Sequence, residues 1–277
     1  MDVKQILKEQ NFRFNKQFGQ NFLTDKNLLN DIVADAQVNG GTVLEIGAGA
    51  GTLTRQLSEH ADKVIAFEID RNLESVLKLM LADCSNVQVV IGDVMRYKMS
   101  EIEALCGGAF KLVANIPYYL TSPLIMTFVE QSVNVQSLTL TIQKEVAERL
   151  CAKPATKDYG AITVAVNAVA NVTLTRILNR ELFYPVPNVD SAVVRIDMDR
   201  NKQDIPNKAL FRKTVKTAFA MRRKTLTNNL MVGFGVNRQT AESIVAEMNL
   251  QLNCRGEELS VEQFVELYNV IEKRGIA

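Results

Sequence analysis

One stretch of the sequence, a strand followed by a glycine-rich loop and a helix, limits the fold of this chain more than any other. Thr42–Ile46 is a short, mostly apolar run that leads directly into Gly47-Ala48-Gly49-Ala50-Gly51. Leu53 and Leu57 then continue at helical spacing. Strand, glycine loop and helix in this order open a doubly wound α/β fold, and the glycines let a ligand approach the backbone. The spacing is G-x-G-x-G, which differs from the dinucleotide pattern G-x-G-x-x-G.

Two further predicted strands also end in acidic side chains. Lys63–Phe67 is followed by Glu68, and Val87–Ile91 is followed by Gly92 and Asp93. A carboxylate at the position of Glu68, beyond the second strand, can accept hydrogen bonds from both hydroxyls of a ribose. The alternative is that Glu68 caps a helix, a role for which Asp70 competes. Asp93 is placed to accept a hydrogen bond from the adenine amine of the same ligand.

A fourth predicted strand ends at Asn115, in the run KLVANIPYYLTSP. The Asn115 side chain and the Ile116 carbonyl can accept hydrogen bonds from an exocyclic amine, and Tyr118 offers a face for stacking on a base. Pro117 fixes its own φ and biases Ile116 towards an extended conformation, which holds those acceptors in place. The alternative is that the tetrapeptide is only a turn that ends a strand.

In an open parallel sheet, ligands bind beyond the carboxyl ends of the strands. Gly47, Glu68, Asp93 and Asn115 each stand at such an end, so we expect them to converge in one crevice. Their agreement is a stronger indication than any single motif.

The remaining pattern predicts a seven-stranded sheet and a small helical domain. The further strands are 137–142, 171–178 and 191–197, and a helix covers 143–150. Polar, proline-containing residues at 199–206 mark the predicted boundary between a catalytic domain, 1–199, and a helical domain, 200–277. In that second domain, helices are predicted at 245–252 and 261–271 as well as in the basic segment.

Two aromatic segments are predicted to border the crevice. The residues up to about Lys16 form a polar arm with a few hydrophobic anchors, and the segment from Phe18 to Asp25 can lie across the pocket with Gln20 and Asn21 pointing into it. Residues 183–188 form a proline-stiffened loop that can close the crevice opposite Tyr118. The alternative for Phe183 is that it only fills the core.

The composition limits both the chemistry and the location of the protein. The chain has 277 residues and one histidine, His60, so a Ser-His-Asp triad, a Cys-His pair or a multi-histidine metal centre has too few parts. We therefore predict chemistry without a strong general base and without a metal. The four cysteines have no paired spacing, which favours reduced thiols. No signal peptide or membrane-length apolar run is present in the sequence, so the cytoplasm is the expected location.

The net charge of +1 is uninformative, but its distribution is not. Eight basic residues and no acid lie between Ile205 and Glu242: Lys208, Arg212, Lys213, Lys216, Arg222, Arg223, Lys224 and Arg238. A charge run is often only a solvated helix face, yet such faces usually mix signs. The segment therefore predicts a surface that binds phosphate groups.

Taken together, these motifs closely resemble the ribosomal RNA adenine dimethyltransferases, and the small-subunit branch in particular. The resemblance runs from about Phe18 to Leu230, and its motifs occur in the family's order: FGQNFL, VLEIGAGAGTLT, FEID, GD, NIPY, QKEVAERL, the Lys153–Gly160 loop, PNVDSAVVR and RRKTLTNNL. The departures are Ala48 and Ala50 in the loop and Tyr119 after the tetrad. None removes an expected donor or acceptor.

The resemblance implies a Rossmann-like, class I S-adenosylmethionine-dependent methyltransferase fold and a site for each ligand. The cofactor, which leaves as S-adenosylhomocysteine, would be bound by Asn21, Leu23, Gly47, Glu68, Asp93 and Asn115. The catalytic set would be Asn115, Ile116, Pro117, Tyr118 and Phe183, and Arg222, Arg223 and Lys224 would contact RNA. The implied substrate is 16S rRNA in the 30S subunit or its precursor. Two adjacent adenosines in a hairpin near its 3′ end would be dimethylated by a monomeric enzyme with a role in subunit biogenesis.

Three alternatives remain open from the sequence. The related large-subunit adenine methyltransferases that confer macrolide resistance share the glycine loop and an NIPY-like tetrad, although RRKTLTNNL favours the small-subunit branch. A nicotinamide-dependent dehydrogenase would use a similar crevice, but the glycine spacing does not fit it. A non-enzymatic RNA-binding or assembly factor could retain the same fold, and the intact Glu68, Asp93 and NIPY set disfavours it.

Overall fold

A computed structural model describes residues 3–10, 12, 14–15, 19–199, 201–202 and 205–276. The chain divides into two compact units, Met1–Ala147 with Thr173–Met198 and Glu148–Val172 with Asp199–Ala277. Residues 148–172 thus group with the C-terminal helices, whereas the sequence placed them in the first domain. Phe18 and three residues of the predicted boundary segment, Arg200, Gln203 and Asp204, lie outside the described residues.

The first unit is built on a sheet that is mostly parallel and includes an antiparallel pair. The strands of the described residues are β1 (Phe22–Leu23), β2 (Thr42–Ile46), β3 (Lys63–Glu68), β4 (Val87–Ile91), β5 (Phe110–Asn115), β6 (Val135–Gln143), β7 (Ala170–Leu178), β8 (Phe183–Tyr184) and β9 (Ser191–Met198). Seven of them form one sheet in the order β4-β3-β2-β5-β6-β9-β7. The run from β4 to β6 is parallel, and β9 is antiparallel to β6. The predicted seven-stranded methyltransferase sheet is confirmed.

The helices alternate with the strands and then follow one another. They are α1 (Val3–Glu9), α2 (Lys26–Asp35), α3 (Thr52–Ser58), α4 (Glu74–Met80), α5 (Met99–Cys106), α6 (Thr121–Gln131), α7 (Lys144–Leu150), α8 (Ala161–Asn167), α9 (Lys208–Phe219), α10 (Leu226–Phe234), α11 (Arg238–Glu247) and α12 (Val261–Lys273). Asp25 caps α2 by accepting a hydrogen bond from Leu28 N at 2.9 Å. No helix among these described residues has the length and apolarity needed to span a membrane.

The apolar strand runs form the centre of the first unit because a parallel sheet is covered on both faces. Val43, Leu44, Val64 and Leu112 are fully buried. Their register aligns the carboxyl ends of the strands, since Ile46 lies opposite both Phe67 and Ala114, and Glu68 lies opposite Ile91. The residues that follow β4, β3, β2 and β5 therefore stand in one row along the same edge of the sheet.

Two aromatic segments that the sequence treated separately meet in a short ladder. In the antiparallel pair β1–β8, Phe22 lies opposite Tyr184, and Leu23 lies opposite Phe183. The Phe14 ring meets the Tyr184 ring edge-on at 5.4 Å. A ladder of two residues on each side has too short a pattern to be predicted by period-2 alternation.

The second unit has its own core, formed by helices α8 to α12 and the segment before α8. Tyr159, Val164 and Ala168 are buried in this core together with residues of α9, which explains why residues 148–172 belong to the second unit. The helix predicted at 245–252 is wrong, because α11 ends at Glu247 and Asn249 has a φ of 55°. The helix predicted at 261–271 is confirmed as α12.

Candidate active site

The glycine loop after β2 has a backbone path that side chains would obstruct. Gly47 and Gly49 have positive φ values of 81° and 58°. A Cβ on Gly49 would lie 2.9 Å from the Phe22 ring. The amides of Gly47 and Ala48 both donate to the Phe67 carbonyl, at 2.9 and 3.0 Å, which ties the loop to β3. The glycines therefore allow a tight, fixed cradle beside the sheet edge.

Glu68 faces this loop from the end of β3. Its Oε2 accepts from Gly49 N at 2.7 Å, and its Oε1 accepts from Asp70 N at 2.8 Å. Burial raises the pKa of Glu68, and these backbone N–H groups oppose the rise. The capping role falls to Asp70, whose side chain accepts from Asn72 N. The structure therefore places Glu68 at the loop, where it lines the cleft.

Asn115 and Ile116 present two hydrogen-bond acceptors side by side. Asn115 Nδ2 donates to the Asn21 carbonyl at 2.8 Å, which orients the amide so that Oδ1 is available. Ile116 N donates to Thr141 O at 3.2 Å, which fixes the peptide after β5. Within the described parts of the chain, no group donates to Asn115 Oδ1 or to the Ile116 carbonyl. This is the arrangement that an exocyclic amine with two N–H donors would satisfy.

Two aromatic rings accompany these acceptors. The Tyr118 hydroxyl lies 3.2 Å from Ser191 Oγ at the start of β9, so the ring is held at its tip. Phe183 is held by the β1–β8 ladder and is only 4% exposed. Both residues line the same cleft, which agrees with a role in the site, although Phe183 also packs in the core cluster as the alternative expected.

The cleft contains about 510 Å³ of empty space, part of which is open solvent. Its lining is Gly19, Gln20, Asn21, Phe22, Gly47, Gly49, Glu68, Ile69, Asn115, Ile116, Pro117, Tyr118 and Phe183. The sequence missed Ile69, which is 37% exposed. An apolar residue directly after the acid in FEID was the available signal, because such a residue suits the face of a base.

Two predicted cofactor residues do not line the cleft. Leu23 is 2% exposed, and its carbonyl accepts from Thr52 Oγ1 at 2.9 Å. Asp93 stands at the end of β4, where its side chain accepts from Met95 N at 3.0 Å and lies 3.5 Å from Arg96 Nε. Both are adjacent to the row of strand ends, and their contact with a cofactor stays a prediction.

A second carboxyl group lies beneath the loop. Glu45 is 1% exposed, and its Oε2 has no hydrogen-bond partner in the described structure. Burial raises the pKa of Glu45 to about 8, and the nearby Glu68 carboxylate acts in the same direction. Burial therefore favours the protonated form of Glu45. Where the structure describes the chain, it contains no group of His, Cys, Asp and Glu that could hold a metal.

The predicted RNA-contacting residues lie in the second unit, between α9 and α10. Arg222 Nε donates to Glu257 Oε2 at 3.1 Å, and its Nη2 donates to the Lys157 carbonyl at 3.0 Å. Arg223 and Lys224 are exposed, and their side chains bond to no described residue. The three neighbouring cations thus differ, since Arg222 is bonded within the protein and Arg223 and Lys224 extend into solvent.

The fold and the cleft together define a Rossmann-like methyltransferase of class I. The family model described as ribosomal RNA adenine dimethylase matches residues 11–273. The chain therefore belongs to the ribosomal RNA adenine dimethylase family.

Individual relatives agree with this assignment. The chain is 42% identical to ribosomal RNA small subunit methyltransferase A of Clostridioides difficile, over 98% of this chain and 96% of that protein. It is 41% identical to the protein of the same name from Enterococcus faecalis, over 98% and 95% of the two chains. The predicted small-subunit branch is thereby confirmed over the large-subunit branch and the dehydrogenase alternative.

Solved structures show the same fold. A dimethyladenosine transferase from Plasmodium falciparum superposes with a TM-score of 0.82 at 26% identity, covering 92% of this chain and 98% of that one. The 23S rRNA methyltransferase ErmE superposes with a TM-score of 0.70 at 25% identity, covering 91% and 100%.

Proposed function

We propose that this protein dimethylates N6 of two adjacent adenosines in a hairpin near the 3′ end of 16S rRNA, within the small ribosomal subunit or its precursor. The observation that carries the proposal is the pair of available acceptors, Asn115 Oδ1 and the Ile116 carbonyl, beside the glycine loop in one cleft. We further propose that the protein acts as a cytoplasmic monomer and contributes to subunit biogenesis.

The residues of the cleft fit S-adenosylmethionine as the methyl donor. The glycine cradle excludes side chains, and Glu68 offers carboxylate lone pairs to a ribose at the adjoining strand end. Ile69 adds an exposed apolar surface next to it. When bound, the cofactor supplies an electrophilic sulfonium methyl group. Asn21, Gly47, Glu68 and Asn115 would hold it, with Leu23 and Asp93 as further contacts.

The chain's own groups then explain how a weak nucleophile reacts. The lone pair of adenine N6 is delocalised into the ring, so the amine is a poor nucleophile. Hydrogen bonds from its two N–H groups to Asn115 Oδ1 and the Ile116 carbonyl favour a more pyramidal nitrogen. Tyr118 and Phe183 hold the base by stacking, so positioning and electrostatics do most of the work. The released proton passes to water, in keeping with the single, exposed His60.

The decisive experiment uses small subunits from cells that lack this protein. The subunits are incubated with the purified protein and radiolabelled S-adenosylmethionine, and the 16S rRNA is analysed by mass spectrometry. We expect two adjacent N6,N6-dimethyladenosines near the 3′ end. Absence of methyl transfer would favour an assembly factor without catalysis, and methyl groups found only at other positions of the 16S rRNA would contradict the substrate assignment.

A further inference from the structure

The loop Lys153–Asp158 is a polar segment to which the proposed reaction assigns no role. Every residue of the loop is exposed. The ammonium groups of Lys153 and Lys157 make no hydrogen bond or ion pair with the described residues. Any solvent-exposed loop can carry unpaired lysines. A loop that forms a binding surface also needs a fixed backbone, so its anchoring contacts are the informative feature.

The loop is anchored at three points within the second unit. Ala155 N donates to the Glu257 carbonyl at 2.8 Å, and Arg222 Nη2 donates to the Lys157 carbonyl at 3.0 Å. Just beyond the loop, the buried Tyr159 donates its hydroxyl to the Leu259 carbonyl at 2.9 Å. Ala155 has a φ of 61°, a region that non-glycine residues rarely adopt. The backbone is thus held in one path while both lysine side chains extend into solvent.

Glu257 connects this loop to the basic segment between α9 and α10. Its carbonyl holds Ala155, and its carboxylate binds Arg222 Nε at 3.1 Å. The turn that carries it is itself fixed, because a Cβ on Gly256 would lie 2.3 Å from the Ala218 carbonyl near the end of α9. One residue therefore holds two cationic segments next to each other.

The exposed side of α9 differs in charge from that of α12. The exposed side of α9 carries Lys208, Arg212, Lys213 and Lys216 and no acid, whereas the exposed side of α12 carries Glu262, Glu266 and Glu272 and, in its last turn, Lys273. A helix whose exposed face contacts only water is more stable when acidic and basic residues are mixed on that face. A face with several cations and no acid favours a polyanion, so the chemistry of the expected partner is that of a phosphate backbone.

We propose that Lys153 and Lys157 form, with Arg223 and Lys224, one composite surface that binds the phosphate backbone of RNA, and that Glu257 is the positioning residue that assembles it. This inference rests on the proposed function and refines its RNA contact. Arg222 uses its guanidinium to hold the loop, and the loop lysines supply the cations that the predicted Arg222–Lys224 contact did not include.

The first test removes the loop cations. A fluorescein-labelled RNA duplex is titrated with the full-length protein across a series of KCl concentrations. For Lys153→Gln with Lys157→Gln, we expect Kd to rise about tenfold and the slope of log Kd against log salt to fall by about two, because each lysine neutralises one phosphate. The matched control, Lys78→Gln with Lys273→Gln, removes two exposed lysines elsewhere and is expected to keep the parental slope. An unchanged slope in the loop variant, or an equal change in the control, overturns the proposal.

The second test uses the direction of an effect. Glu257→Ala removes a negative charge, so a simple net-charge effect would tighten RNA binding. If Glu257 positions the surface, Kd instead rises about threefold and the salt slope falls, while the melting temperature changes little. Tighter binding, or weaker binding explained by an unfolded protein, contradicts the positioning role.

Two further readouts separate this inference from the proposed function. If the parent protein methylates small subunits but the loop variant keeps its salt slope, only the inference fails. If the parent binds the duplex with the expected slope but transfers no methyl group, only the proposed function fails. Loss of affinity for poly-L-glutamate with RNA binding unchanged would assign the surface to an acidic protein and overturn the proposal.

Discussion

The cleft of the first unit and the basic surface of the second unit are built in opposite ways. The cleft uses backbone groups and short side chains at the ends of buried strands, as in Gly49 N–Glu68 and Asn115–Asn21. The surface formed by Lys153, Lys157, Arg222, Arg223 and Lys224 uses long, exposed cations, and Arg222 is held by Glu257 and the Lys157 carbonyl. Fixed hydrogen-bond acceptors suit a reaction whose rate depends on the position of the substrate. Long cationic side chains suit binding to a nucleic-acid backbone, because its phosphate groups repeat along the chain. Substitutions should therefore act steeply on turnover in the cleft and gradually on affinity at the surface.

The largest effect is expected from Asn115→Ala. The variant loses the Oδ1 acceptor, so we expect turnover to fall about 100- to 1000-fold, as when one transition-state hydrogen bond is removed. The affinity for S-adenosylmethionine, measured by calorimetry, should change less than about threefold, since the cradle remains. Equal losses of turnover and affinity would mean that Asn115 only binds the cofactor. Asn115→Asp keeps an acceptor oxygen but loses the hydrogen bond to the Asn21 carbonyl. It therefore separates the effect of orienting the side chain from the effect of accepting a hydrogen bond from the amine.

The next effect is expected at the basic surface. Replacing Arg222, Arg223 and Lys224 by Ala should weaken binding to small subunits about 10- to 100-fold and flatten its salt dependence. The single variant Arg222→Ala should reproduce part of this loss, because it releases the Lys157 carbonyl. Single-turnover methyl transfer at saturating subunit should stay near the parental rate. A salt slope that does not change would remove RNA contact from this segment.

A smaller effect should distinguish the two carboxylates, Glu68 and Asp93, that the sequence assigned to the same cofactor. Glu68→Gln replaces an acceptor of two backbone N–H groups and a ribose ligand, so we expect the Kd for S-adenosylmethionine to rise about tenfold. Asp93→Asn, at a residue outside the cleft lining, should raise it less. Calorimetry on both variants, with melting temperatures as a control, checks this order. A larger loss for Asp93→Asn would restore the predicted adenine contact to first importance.

The smallest effect concerns stability and pH. Burial raises the pKa of Glu45 from its ordinary value of 4.5 to about 8, so the folded protein keeps a proton that the unfolded chain releases between these values. The free energy of unfolding contributed by Glu45 is thus fully present below pH 4.5 and is lost as the pH rises towards 8. Glu45→Gln cannot ionise, so it should be about 1 kcal/mol more stable than the parent at pH 8. Urea unfolding at pH 5 and pH 8 measures the difference, and a gain that does not grow with pH would contradict the assignment.

The edge of the sheet was predictable because strand ends carry their own signals. The runs before Gly47, Glu68, Asp93 and Asn115 were apolar and short, and parallel strands bring their carboxyl ends to one edge. The two-residue pairing of Phe22–Leu23 with Phe183–Tyr184 was not predictable, since it depends on residues 160 positions apart that meet only in the folded unit. The grouping of residues 148–172 with the helical unit was equally hidden, because Tyr159 and Val164 share a core with residues of α9 to α12 that lie far along the chain.

The sequence by itself determined the fold class, the family and the identities of the acceptors in the NIPY turn, because these depend on residue type and local spacing. Only the tertiary structure decided which of these groups already form hydrogen bonds within the protein. Asp70 takes the cap and leaves Glu68 to the loop, Asn21 orients Asn115, and Glu257 draws Arg222 towards Lys157. The physical reason is that a hydrogen bond between distant residues depends on where the packed elements bring them, and local sequence does not encode that position.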